Sequence, residues 1–72
     1  MYYEAKDEMR INGILARSKG SARKAEALAQ QMANSIHDVS KARRRASAAG
    51  AVHQHVLASF FWTRVGQLGG RA

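Results

Sequence analysis

Apolar residues in the first half of the chain recur with alternating gaps of four and three: Ile11, Leu15, Ala22, Ala25, Ala29, Met32, Ile36 and Val39, with Ser18 in the one missing place. That spacing marks one face of an α-helix. Alanine carries most of it, and a seam of small residues lets two helix backbones approach closely. A second stripe runs through Val39, Ala42, Ala46, Ala49, His53, Val56 and Phe60, and Leu57, Phe61, Val65 and Leu68 widen it toward the end. Proline is absent, β-branched residues are few and straight-chain helix formers abound, so the composition reads all-α.

The breaks follow from cap and turn residues. Asn34 and Ser35 are the best turn formers near the midpoint, with Asp38 three residues after Ser35 as a box-like partner. Gly20 followed by Ser21 offers a second stop and restart, and Gly50 a third. The pattern predicts a helical hairpin of two long amphipathic helices turning near Asn34, with a possible break at Gly20. Helices of about 30 residues would make it roughly 45 Å long. Folding there would set Tyr2 and Tyr3 against Phe61, Trp62 and Val65, Glu4 near Arg64, and Arg17–Lys24 beside Lys41–Arg45. Residues 1–68 read as a single helical domain. The glycines near the end read as a helix stop, leaving 69–72 as a short tail.

Two helices cannot cover their own apolar stripes. The expectation is therefore self-association, as a homodimer forming a helical bundle or within a larger assembly. Size points the same way. A chain of 72 residues buries only about 60% of its unfolded surface, and such chains usually need a staple or a partner. Cysteine is absent, which excludes disulfides and cysteine-type zinc sites.

The formal net charge of +7 is unevenly spread. Arg17, Lys19, Arg23, Lys24, Lys41, Arg43, Arg44 and Arg45 face only Glu26 and Asp38 between positions 17 and 45, whereas the first sixteen residues are slightly acidic. In the hairpin the two basic clusters would merge into one band over its outer surface. Such a band suits phosphate backbones, because each neutralised phosphate releases condensed counterions without any base being read. Guanidinium forks also match carboxylates, so an acidic protein surface is the competing partner.

The consecutive Phe60, Phe61 and Trp62 cannot share one helix face. Phe60 continues the stripe, Phe61 borders it and Trp62 points partly outward. With Tyr2 and Tyr3 these residues are the candidate protein interface. That supports a second reading as a protein-interaction module: an adaptor or inhibitor of a larger protein, an accessory protein of the phage or plasmid type, or a structural subunit.

Chemistry has little to stand on. Asp7 and Glu8 are adjacent and diverge, so they form no paired-carboxylate site. No serine has a base beside it in any recognisable spacing, and no glycine-rich phosphate loop occurs. His53 and His55 stand about 200° apart on a helix and cannot chelate one metal from one face. His53 falls in the apolar stripe, where a core histidine is the ordinary reading, and His37 reads as a helix-end residue. The expectations are no enzyme, no cofactor, no metal and no small-molecule substrate. The most apolar window is interrupted by Arg64 and Gly66 and falls short of the roughly 20 apolar residues a span needs. With a polar, acidic start, the expected setting is soluble and cytoplasmic, without integral membrane association.

Overall fold

The computed structural model describes residues 3–69. They form four helices in place of the two expected: α1 (Ala5–Ser18), α2 (Ala22–Ser35), α3 (Val39–Ala51) and α4 (His55–Gln67). The described residues are all-α. α1 packs on α2 and α3, and α4 packs on the same two helices. The longest extent is 32 Å, well short of the extended hairpin, and the radius of gyration is 10.9 Å, close to the roughly 11 Å of a compact chain of this length. Tyr2 and the last three positions of the expected tail lie outside the described residues.

Three local motifs divide the chain. At the first, Lys19 and Gly20 take left-handed φ of 49° and 82°, which glycine does without steric cost. Ser21 then caps α2 by accepting from the Lys24 N–H at 3.2 Å. The second break falls at residues 36–38, just past the expected turn at Asn34. There Asp38, not Ser35, is the N-cap: its carboxylate accepts from the Ser40 N–H at 2.9 Å. Ser35 ends α2 instead, its hydroxyl donating to the Met32 carbonyl at 2.7 Å.

The third break is the one that overturns the hairpin. Gly50 stays inside α3, which ends at Ala51 with Val52 as its C-cap, and the left-handed residue follows at His53, whose φ is 62°. The His53 N–H donates to the Gly50 carbonyl at 3.0 Å and the Gln54 N–H to the Ala49 carbonyl at 2.8 Å. This is the paired closure of a helix C-terminus around a left-handed residue, with histidine where glycine is usual. His53 is accordingly exposed at a turn and is not the core residue its place in the stripe suggested.

Up to that break most of the apolar stripe is the buried face: Ile11, Ala25, Ala29, Ile36, Ala42, Ala46 and Ala49 lie in the core, Leu15, Met32 and Val39 pack against it, and Ala22 is exposed. Beyond it the turn resets the helical phase. Val56 is exposed, and Leu57, Ala58, Phe61 and Val65 point inward. Phe61 is the largest fully buried side chain, while Phe60 is half-buried against the core. The alanines of α3 let neighbouring helices come close, and Phe61 with Ile11, Ile14 and Ile36 fills the space between them. Four helices of one chain thus cover the stripes that two would leave open, and the packing argument for self-association falls away.

Two polar clamps tie the helices together. Arg64 on α4 donates to the Ile36 carbonyl at 2.9 Å and lies 3.5 Å from the Asn34 carbonyl, satisfying the C-terminal end of α2. It also meets Gln67 Oε1 at 3.2 Å and His37 Nδ1 at 3.3 Å. This is its setting in place of the expected neighbour Glu4, which pairs with Lys6 at 3.4 Å on the surface. The second clamp joins α1 to α3. Asp7, only 1% exposed, accepts from Arg45 Nε at 3.1 Å, and Arg44 Nε lies 3.6 Å from its other oxygen. That second oxygen also accepts from the Glu4 N–H at 2.9 Å, which helps start α1. Among the described residues no helix is long and apolar enough to cross a membrane.

Candidate functional site

The three consecutive arginines do not form the outward fan their spacing suggested. Successive helical positions turn by about 100°, so the three sample different surroundings. Arg45 is 7% exposed and turned inward to Asp7. Arg44 is half-buried beside the same carboxylate. Arg43 is half-buried on a third side of α3, about 200° around the helix from Arg45. The cause is Asp7: a carboxylate sealed from water draws the cations within reach, because it costs several kcal/mol to leave it unpaired, on the order of 3–5.

What the fold does bring together is a different set. Arg10 and Arg17 of α1, Lys41 and Arg45 of α3, and the facing side of α2 line one groove of about 320 Å³. Regular spacing makes this possible. Arg10 and Arg17 are seven apart, Lys41 and Arg45 four apart, and Leu28, Gln31, Met32 and Ser35 occupy one line of α2. Leu28, Met32 and Ile36 give the groove an apolar floor, while Gln31 and Ser35 add polar groups. No lining residue is acidic. Arg10, Arg17 and Lys41 are exposed, and among the described residues no carboxylate lies within ion-pair distance of any of them. Arg10 and Arg17 stand roughly 10 Å apart along α1.

The other basic positions flank this groove or leave it. Lys24 lies one turn before Leu28 on nearly the same line of α2, so it extends the cationic surface toward the α1–α2 turn. Arg23 is exposed but about 140° around α2 from Leu28. Lys19 sits in the turn itself. The band of eight is therefore not one surface. Arg17 and Lys41 join Arg10 and Arg45 at the groove, Lys24 extends it, and the remaining cations face other directions or are tied to Asp7.

Arg10 is the groove residue that the charge pattern conceals, because it lies in the slightly acidic N-terminal segment. Its seven-residue spacing from Arg17 was the available signal.

The expected aromatic interface is likewise divided. Phe61 is core, Tyr3 and Phe60 pack against the core, and Trp62 is 41% exposed. Among the described residues the one aromatic ring pair is His53 with His55, centroids 6.2 Å apart; Tyr3 does not stack on Trp62. Among the same residues no three His, Cys, Asp or Glu side chains converge in a way that could hold a metal. No protein-family model, curated protein or solved structure matches this chain.

Proposed function

We propose that the protein is a small, non-enzymatic binding module that holds the phosphate backbone of a nucleic acid in the groove between α1, α2 and α3. One observation carries the reading: Arg10, Arg17, Lys41 and Arg45 line a single concavity that contains no acidic residue. Cations gathered on one concave side act on the same ligand, and low-dielectric walls focus their field. Four cations in one concavity can engage about four phosphates of one strand. The lining has no aromatic ring to stack a base, so binding by backbone charge fits it better than readout of sequence.

The test is fluorescence anisotropy of a labelled single strand and a labelled duplex at 50 and 200 mM salt. Engagement of about four phosphates should weaken single-strand binding about fiftyfold across that range. Absence of binding at 50 mM salt overturns the reading. Trp62, with 41% of its surface exposed, favours the second reading, a protein partner on α4. In that case Trp62→Ala would break a complex that Arg17→Gln leaves intact.

A further inference from the structure

Four cations line the groove, but they are not equivalent. Arg10, Arg17 and Lys41 are exposed, so their long side chains are free to follow a diffuse ionic atmosphere. Arg45 is buried, and its Nε is held 3.1 Å from Asp7 Oδ1. Asp7 itself has no freedom to move away. Its other oxygen accepts the Glu4 N–H at 2.9 Å and faces Arg44 Nε at 3.6 Å. Two guanidiniums share this one carboxylate, so the cluster keeps a net positive charge. The Nε of Arg45 is engaged, while its two terminal nitrogens make no hydrogen bond among the described residues, although Arg45 lines the groove.

We infer that Arg45 is a fixed anchor for one phosphate group within the groove, with Asp7 as the positioning residue that presents its terminal nitrogens. The inference rests on the reading of the groove as a phosphate-binding surface and adds a division of labour to it. Arg10, Arg17 and Lys41 attract the strand, and Arg45 grips one phosphate by two parallel N–H donors. A guanidinium fork matches two phosphate oxygens, which the point charge of lysine cannot do. Holding the fork in place beforehand removes the ordering cost that an exposed arginine meets on binding. The apolar floor of Leu28, Met32 and Ile36 beside it lowers the local dielectric and strengthens those bonds.

The direct test follows the arginine Nε–Hε signals of the unmodified protein by nitrogen–proton NMR during titration with inorganic phosphate. Chloride at matched ionic strength is the control. The Arg45 signal should shift saturably with phosphate and hardly with chloride, while those of Arg17 and Arg10 drift weakly with both. A companion pair of charge-preserving variants reads the same point in strand binding. Arg45→Lys should weaken binding about tenfold with the salt dependence unchanged, whereas Arg23→Lys, away from the groove, should leave it within about twofold. An Arg45 signal that moves no more than the others, or equal effects of the two lysine variants, overturns the anchor.

The two levels fail separately. A strand bound through Arg10, Arg17 and Lys41 with an unresponsive Arg45 sinks the anchor alone. A phosphate-responsive Arg45 in a protein that binds no strand sinks the backbone reading and leaves the anchor standing.

Discussion

Arg64 and Arg17 carry the same side chain at opposite junctions of this molecule. At the α2–α4 junction, Arg64 donates to the Ile36 carbonyl and lies against Asn34, His37 and Gln67. In the groove between α1, α2 and α3, Arg17 has no carboxylate within reach among the described residues and shares its concavity with three more cations. A guanidinium whose donors are satisfied by the chain's own carbonyls closes a helix end. One whose donors face water beside like charges is held in a costly arrangement, which an anionic partner would relieve. Net charge alone does not separate the two; hydrogen-bond partners do. Arg44 and Arg45 stand between these cases, bound to Asp7 on one side while Arg45 borders the groove on the other.

The largest expected effect breaks the structural side of this contrast. Asp7→Ala leaves two guanidiniums around an empty place at the α1–α3 contact, and urea unfolding should show a loss of about 3–5 kcal/mol. A loss below about 1 kcal/mol would mean that water already serves the pair. Comparable at most is Phe61→Ala, which removes the largest fully buried side chain and should cost about 3–5 kcal/mol if the cavity does not collapse, less if the small alanines around it close in. Arg64→Ala should cost about 1–3 kcal/mol by orphaning the carbonyls at the end of α2, while strand affinity changes less than about threefold. A large loss of binding there would place Arg64 on the functional side instead. Smallest of all, Arg23→Gln, about 140° from the groove line of α2, should leave stability within about 0.5 kcal/mol and strand affinity within about twofold, since only a distant screened charge is lost. Anisotropy titrations beside unfolding curves check both.

The sequence displays one part of this contrast and conceals the other, for physical reasons. The all-α class and most of the buried alanine seam up to Ala49 are visible because the helical period is local and keeps its phase across the first two breaks. The stop at Gly20 and Ser21 is visible because both residues have strong backbone preferences. The break at His53 is hidden, since its left-handed conformation falls on a residue with no strong turn signal, and every later position of the stripe then shifts phase. The burial of Arg45 is hidden for another reason. Its partner Asp7 is 38 residues away, and no local pattern tells which of three consecutive arginines turns inward to a buried carboxylate. The groove itself needed three helices in register, although the spacing of Arg10 and Arg17 already placed them on one face.

The most direct test is strand binding by the variant Arg10→Gln, Arg17→Gln, Lys41→Gln at 50 mM salt, followed by anisotropy. These side chains are exposed and have no carboxylate partner among the described residues, so the fold should survive with stability changed by about 0.5 kcal/mol or less per site. Affinity should fall by at least about fiftyfold, and the dependence on salt should flatten as the phosphate contacts are lost. A folded variant that binds the strand as tightly as the unmodified protein, with the same salt dependence, would contradict the account.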